Sequence, residues 1–157
     1  MAILNQDLPE IIKLENLHNA LCMVIPRAKV LDEYFSDQLL FRTTIQNYLQ
    51  MNNLGIIDGT EYVKRTKNTK TTHLKNFKGF VSINGKKTEN DGELPYPGIT
   101  KATCKIDEQR IKNQAILLID DIYTKDVNID EDCIQALYDL DAKKIILYTI
   151  ACTKRFQ

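Results

Sequence analysis

The sequence contains no apolar run of about 18 residues, the length a helix needs to cross a membrane. Its first residues, Met1 to Leu4, form an apolar stretch too short for a secretory signal, and acidic residues follow at Asp7 and Glu10. The chain also lacks an excess of either charge, since 21 basic residues balance 21 acidic ones. We therefore expect a cytoplasmic protein with no membrane partner, and the charge balance argues against nucleic acid as a partner.

The chain has no C-x-x-C pair, and its four cysteines are not spaced as zinc ligands: Cys22, Cys104, Cys133 and Cys152. Three of them, Cys22, Cys133 and Cys152, fall within strand or helix patterns, where a free cysteine is usually a small buried hydrophobe. This usage fits a reducing compartment. With 157 residues and 43% hydrophobic content, the chain is long enough for one domain, residues 1–157, around a single core.

One stretch stands out, the run A-I-L-L-I-D-D-I-Y-T-K-D-V-N from Ala115 to Asn128. Its aliphatic residues at 116–119 predict a strand buried on both faces, as in a parallel sheet, and two carboxylates follow at Asp120 and Asp121. After a short polar loop we expect a helix to begin at Asn128, with Asn128 and Glu131 forming a capping box. Ligands of open α/β sheets bind at the carboxyl ends of strands, and a helix N-terminus suits phosphate.

The apolar residues after this stretch recur at helical spacing, and a second aliphatic strand follows at Lys144 to Ala151. Strand, helix and strand together predict a βαβ unit with a parallel strand pair. Elsewhere the patterns predict helices at Leu8–Asn19 and Ser36–Met51 and strands at Leu21–Ile25 and Thr60–Arg65, with a turn at Ile56–Gly59 and a linker at Lys105–Asn113. They also predict a hairpin-like flap, with strands at Gly79–Ile83 and in parts of Glu93–Cys104 and a turn signal at Asn84-Gly85.

The residues I-L-L-I-D-D-I-Y-T resemble the signature of type I phosphoribosyltransferases for 5-phosphoribosyl 1-pyrophosphate (PRPP), and the ComF-like branch is the most similar. The zinc-binding cysteine module of many ComF-like proteins is absent, so the resemblance covers the transferase domain alone. It implies an α/β fold of the type I phosphoribosyltransferase kind, with a central, mostly parallel sheet flanked by helices. It also implies a flexible hood, or flap, at about residues 66–113.

By this resemblance, Asp120 and Asp121 are the catalytic pair that binds the ribose hydroxyls of PRPP. The pair would also hold Mg²⁺ indirectly, through those hydroxyls. The loop that follows would bind the 5′-phosphate, and its residues are Thr124, Lys125, Asp126, Val127 and Asn128. Most family members have Thr-Thr-Gly-Ala-Thr there. The charge of Asp126 opposes a phosphate, by roughly 4 kcal/mol for unit charges about 4 Å apart at an effective dielectric of 20, and Lys125 could offset it.

Two basic segments complete the predicted site. The loop after the first core strand reads Pro26-Arg27-Ala28-Lys29, and the resemblance implies that Arg27, Ala28 and Lys29 bind pyrophosphate. Arg can hold two phosphate oxygens at once, whereas Lys acts as a point charge. In the hood, Arg65, Lys67 and His73 are candidates for contacts with pyrophosphate or with the incoming base. The alternative for both segments is a solvated basic loop.

The implied function is phosphoribosyl transfer from PRPP to a nitrogenous acceptor, a base or an amine, with Mg²⁺ as cofactor and release of pyrophosphate. A homodimer is compatible with this interpretation. One alternative is a catalytically degenerate module that binds PRPP or a nucleotide and serves regulation, which the substitution at Asp126 favours. Another is an α/β domain of a different class, such as a phosphoacceptor receiver or a Mg²⁺-dependent phosphatase.

Overall fold

The computed structural model describes residues 2–69, 80–83, 86–89, 98–124 and 128–153, and these form an α/β fold around a four-stranded sheet. Its strands are β1 (Leu21–Val24), β2 (Ile57–Asp58), β7 (Ala115–Tyr123) and β8 (Lys144–Cys152). The sheet has the order β2-β1-β7-β8, and all three strand pairs are parallel. The prediction of a parallel sheet flanked by helices is confirmed.

Four α-helices and two short 3₁₀ helices lie among the described residues. The α-helices are α1 (Ala2–Leu14), α2 (Leu40–Met51), α3 (Glu108–Ile111) and α4 (Ile129–Tyr138), and the 3₁₀ helices are Leu31–Glu33 and Ser36–Leu39. Two antiparallel strand pairs lie outside the main sheet: β3 (Val63–Arg65) with β6 (Cys104–Ile106), and β4 (Phe80–Ile83) with β5 (Lys86–Glu89). No helix in the described part of the chain is long and apolar enough to cross a membrane.

Side chains alternate between two core layers along the central strand β7. Ile116 and Leu118 join the layer beneath α4, which includes Leu137. Leu117 and Ile119 join the layer beneath α1 and α2, whose own buried members are Leu4, Leu8, Ile12, Ile45 and Tyr48. The four β7 residues are completely buried, so the continuous aliphatic run was the correct signal for a strand covered on both faces.

Several element boundaries differ from the sequence expectation. Helix α1 begins at Ala2 rather than Leu8 and ends at Leu14, with Pro9 inside it. The missing N–H of Pro9 leaves the Asn5 carbonyl without its helical donor, and Asn5 is exposed, so water can take its place. The stretch predicted as a turn at 56–59 contains β2, a short parallel edge strand. The predicted linker at 105–113 contains most of β6 and all of α3.

The predicted hairpin is present as the pairing of β4 with β5, although its second strand is Lys86–Glu89 and the expected turn, 84–85, lies outside the described residues. Strand β7 continues through both aspartates to Tyr123, beyond the predicted end at Ile119. Register explains this extension, since Ile122 and Tyr123 stay paired with Ala151 and Cys152 of β8. Cys152 is exposed rather than buried, whereas Cys22, Cys104 and Cys133 are buried.

The predicted capping box at α4 is wrong. Asn128 does precede the helix, but its backbone is left-handed, with φ at 54°, and its side chain makes no capping hydrogen bond. The carboxylate of Glu131 instead accepts a hydrogen bond from the Tyr123 hydroxyl at 2.6 Å. Asn tolerates the left-handed region better than most residues, so the position of Asn128 reflects its backbone conformation rather than capping.

Candidate functional site

A pocket of about 450 Å³, part of it open to solvent, lies at the carboxyl ends of β1 and β7. It contains three residues predicted for the site: Arg27 from the loop after β1, and Asp120 and Asp121 from β7. Two further polar side chains line the pocket, Gln38 and Arg42. The rest of the lining is apolar and comes from the end of β1, the loop after it and the start of α2: Val24, Ile25, Pro26, Leu31, Leu39 and Phe41. The pocket thus combines two arginines and two carboxyl groups at the sheet edge where such folds bind ligands, and one of the arginines, Arg42, is already paired with Glu61.

The loop after β1, residues 26–30, is fixed by hydrogen bonds from the end of β3 and from the segment that follows it. Arg65 donates from Nε to the Arg27 carbonyl at 3.1 Å. Thr69 donates its N–H to the Ala28 carbonyl at 2.8 Å, and its hydroxyl reaches the same oxygen at 3.1 Å. The side-chain oxygen of Asn68 accepts from the Val30 N–H at 3.0 Å. These bonds give the loop a defined backbone conformation.

The two cations of this loop lie in different surroundings. Arg27 is exposed, stacks over the Tyr34 ring at 5.1 Å and donates from Nη1 to the Gln38 carbonyl at 3.1 Å. Guanidinium groups carry five donors, so Arg27 retains donors that can point into the pocket. Lys29 is only 6% exposed, and its backbone N–H donates to the Tyr34 hydroxyl at 2.9 Å. Arg27 is therefore the cation of the loop that is best placed to meet a ligand.

Asp120 is paired with Asp130, a residue of α4 that sequence reasoning did not select. Hydrogen bonding between the two carboxyl groups raises the pKa of Asp120 and lowers that of Asp130, so it favours the proton on Asp120. Burial, with the nearby charges of Asp130 and Asp121, raises the pKa of Asp120 to about 8. Burial also raises the pKa of Asp130, which is 3% exposed and whose Oδ1 has no hydrogen-bond partner among the described residues. Near neutral pH the pair therefore carries about one negative charge rather than two.

Asp121 differs from its neighbour because it is exposed while still lining the pocket. It is the carboxylate of the predicted pair that solvent and ligands reach most easily. The two aspartates differ because successive residues of a strand point to opposite faces of the sheet. Asp120 points toward α4 and Asp130, whereas Asp121 does not take part in that shared hydrogen bond.

The predicted phosphate loop is described only at its two ends. Thr124 is half-buried directly after β7, and Asn128 precedes α4, whereas Lys125, Asp126 and Val127 lie outside the described residues. The first turn of α4 contains three acidic residues, Asp130, Glu131 and Asp132. Acidic side chains there stabilise the helix through its dipole, but they also offset the positive end that would attract a phosphate.

The hood candidates separate into three cases. Arg65, expected to face pyrophosphate, is 5% exposed, and its guanidinium donates to the carbonyls of Arg27 and Gly98. Burial lowers the pKa of Arg65. Its position indicates support for the loop backbone rather than ligand contact. Lys67 is exposed and outside the pocket lining, and His73 lies outside the described residues.

Gly98 is held from both sides at the point where the chain returns toward β6. Its N–H donates to Asp132 on α4, and its carbonyl accepts from Arg65 and, at 3.0 Å, from the Thr103 hydroxyl. Asp130 and Asp132 were both missed by sequence reasoning. The only available signal was their place in the first turn of a helix beside the acidic pair, and helix-dipole stabilisation explains acidic residues there equally well.

Comparisons with known proteins returned no match to this chain among family models, curated proteins or solved structures. Within the described residues, no group of three or more His, Cys, Asp or Glu side chains is arranged to hold a metal ion.

Proposed function

We propose that this chain is a phosphoribosyltransferase with a type I-like fold, which binds PRPP and transfers its phosphoribosyl group to a nitrogenous acceptor. The observation that carries the proposal is the pocket in which Arg27, Asp120 and Asp121 meet at the ends of two adjacent parallel strands. PRPP needs such a combination, because it presents ribose hydroxyls for carboxylates and a pyrophosphate for a cation.

In this proposal, Arg27 binds the leaving pyrophosphate, and the backbone of the loop at 26–30 lies beside it. Asp121 accepts hydrogen bonds from the ribose hydroxyls as the accessible carboxylate. Asp120 pairs with Asp130 of α4, and this pairing fixes the end of β7 that carries Asp121. Residues 124–128 bind the 5′-phosphate. Mg²⁺ would bind through ribose and pyrophosphate oxygens and neutralise the departing charge, in keeping with its preference for a few carboxylates, phosphates and waters.

Bond breaking at the anomeric carbon gives the ribose oxocarbenium character while pyrophosphate leaves as an anion. A carboxylate near the ribose stabilises the developing positive charge, and a guanidinium stabilises the leaving group. The apolar residues of the pocket wall, among them Leu39 and Phe41, limit the access of water, which would otherwise compete with the acceptor nitrogen.

A second candidate is a module that binds PRPP or a nucleotide without turnover. Two observations favour it. Asp120 shares a proton with Asp130, and the first turn of α4 adds acidic residues near the position expected for the 5′-phosphate. The shared proton makes Asp120 a poorer acceptor for ribose hydroxyls, and the acidic residues of α4 oppose the binding of an anion.

Calorimetric titration with PRPP and Mg²⁺ tests both candidates. We expect Asp121→Asn to weaken PRPP binding at least tenfold, because a hydrogen bond to a charged group contributes about 1.5–3 kcal/mol. Arg27→Gln should have a similar effect. The matched control is Asp139→Asn, the same exchange at an exposed position at the opposite end of α4.

Absence of any heat at millimolar PRPP would exclude both candidates. Where binding is seen, pyrophosphate release measured with a panel of bases and amines separates them. Release with any acceptor identifies the enzyme, and binding without release across the panel identifies the module.

A further inference from the structure

Strand β8 forms the outer edge of the main sheet and has the features of a strand that pairs with another chain. It is nine residues long, reads K-I-I-L-Y-T-I-A-C, and contains no proline and only one charge, at Lys144. Within the described part of the chain no strand pairs with its outer side. Natural sheets usually protect such edges with charges, prolines or bulges, because an open edge invites pairing.

The hydrogen-bond pattern shows which residues of β8 face outward. The Ile25 N–H donates to the Ile119 carbonyl at 3.1 Å, so the backbone groups of Ile119 point toward β1. Backbone direction alternates along a strand, so those of Asp120 point toward β8. Thr149 is the residue opposite Asp120. In a parallel ladder, the residue opposite a bonding residue turns its own N–H and C=O away. Thr149 therefore presents these groups to the free edge.

The same alternation applies to Ile145 and Leu147, which lie opposite Ile116 and Leu118. Three residues of β8, at 145, 147 and 149, thus offer donors and acceptors at the edge. An antiparallel copy of β8 centred on Leu147 places 145 opposite 149 of the second copy and 147 opposite its own equivalent. Every outward residue then meets an outward residue, which allows about six hydrogen bonds between the strands.

Helix α1 provides a second, independent match to this arrangement. The Lys144 ammonium contacts the Glu15 carboxylate at 2.8 Å, and the Tyr148 hydroxyl donates to Asp7 at 2.7 Å. Helix and strand therefore run in opposite directions, since eight helical residues and four strand residues both span about 12–13 Å. Ile3, one turn before Asp7, is then level with Ile150.

Ile3 and Leu14 share one stripe of α1 with Asp7, at spacings of four and seven residues. Both are exposed, Ile3 by 51% and Leu14 by 74%, although they are large and apolar. In the antiparallel arrangement, Ile150 lies opposite Lys144 of the second copy. Lys144 contacts Glu15, the residue directly after Leu14. Ile3 of one copy therefore lies level with Leu14 of the other copy, and these two exposed apolar residues become neighbours.

The charge distribution also favours an antiparallel pair. The one charged residue of β8, Lys144, lies at one end of the strand, so antiparallel pairing separates the two lysines while parallel pairing would place them side by side. Asp7 and Glu10 lie near the middle of the α1 stripe, and the equivalent carboxylates of two copies would approach one another. Added salt, which screens such repulsion, should therefore strengthen the pair.

We propose that two copies of this chain associate through their β8 edges, antiparallel and centred on Leu147, to form a continuous eight-stranded sheet with the α1 helices side by side. This inference is independent of the proposed phosphoribosyl transfer, because it uses neither the pocket nor its carboxylates.

Sedimentation velocity at about 100 μM protein gives the first test, with a dimer expected. Thr149→Pro removes an outward N–H without removing a bond to β7, and we expect it to raise the dimer dissociation constant at least tenfold. Thr149→Val keeps the N–H and is the matched control. A monomeric wild-type chain at this concentration would overturn the proposal.

Cysteine pairing tests the register and does not depend on how Thr149→Pro folds. We use Lys144→Cys and Ile150→Cys, each combined with Cys152→Ser to remove the exposed native thiol. In a dimer of either variant alone, the two introduced cysteines would lie about 20 Å apart along the strands, too far for a disulfide. Across the proposed interface, residue 144 of one copy and residue 150 of the other form a close pair with Cα atoms about 4.5 Å apart.

On oxidation, a mixture of the two variants should give a disulfide-linked dimer on a non-reducing gel, whereas each variant alone should remain a single chain. Cross-linking of either variant alone would reject the register. Absence of a cross-link in the mixture would reject the interface.

Discussion

Replacement of Asp120 by an asparagine should stabilise the protein at alkaline pH. The pKa of Asp120 rises from an ordinary 3.8 to about 8 because the group is buried beside Asp130 and Asp121. Each unit of pKa corresponds to about 1.36 kcal/mol, so complete ionisation in the folded state would cost about 6 kcal/mol. Because a typical domain has a stability of about 5–15 kcal/mol, this cost is large.

The sign follows from proton linkage. The folded protein binds this proton more tightly than the unfolded chain, so the stabilisation is fully present below pH 4 and is lost as the pH rises through 8. The amide introduced by Asp120→Asn is neutral at every pH and can donate to Asp130 as the protonated carboxyl does. We therefore expect Asp120→Asn to match the wild type near pH 4 and to exceed its stability by at least about 2 kcal/mol at pH 8.

Urea denaturation at both pH values measures this difference. With a slope of about 2 kcal/mol/M, a gain of 2 kcal/mol moves the midpoint by about 1 M. Asp139→Asn, the same exchange at an exposed position at the end of α4, should leave the wild-type pH profile unchanged. Parallel pH profiles for the wild type and Asp120→Asn would refute the shared-proton interpretation of Asp120 and Asp130.

Two further substitutions test features that the sequence did not reveal. Arg65→Met should lower stability by about 2–4 kcal/mol in urea denaturation, because the carbonyls of Arg27 and Gly98 lose their buried donor. A loss below about 0.5 kcal/mol, the size expected for an exposed residue, would contradict the burial of Arg65. In the same measurement, Asn128→Ala should lower stability by about 1 kcal/mol and Asn128→Gly should leave it almost unchanged, because φ is 54° and the side chain makes no capping hydrogen bond. Equal losses of stability for Ala and Gly would indicate that the Asn128 side chain caps the helix.

The sheet was predictable because burial on both faces leaves a continuous aliphatic run, and 116–119 and 144–151 have such runs. The short strand at Ile57–Asp58 was not, because only its pairing with β1 makes a strand of residues that resemble a turn. The extension of β7 depends on the length of β8 beside it. Such tertiary pairing leaves no trace in the local pattern.

For the candidate site, the sequence predicted that Arg27, Asp120 and Asp121 belong together, but it did not predict their contacts with the rest of the fold. Each of these three residues follows an apolar run that predicts a buried strand, and all three line one pocket. The proton shared with Asp130 and the burial of Arg65 depend on distances across the fold. A hydrophilic segment such as 65–69 suggests a solvated loop, yet its Arg is buried because two backbone carbonyls satisfy the guanidinium.

Segment 70–97 begins after Thr69 and ends before Gly98, and both of these flanking residues are fastened near the same loop. Thr69 bonds to Ala28, and Gly98 connects to Arg27 through Arg65. Doubling the length of a loop whose ends are held costs only about 0.6 kcal/mol. A change in the number of residues between Thr69 and Gly98 should therefore cost the fold little, and the sheet with its carboxylates can remain unchanged.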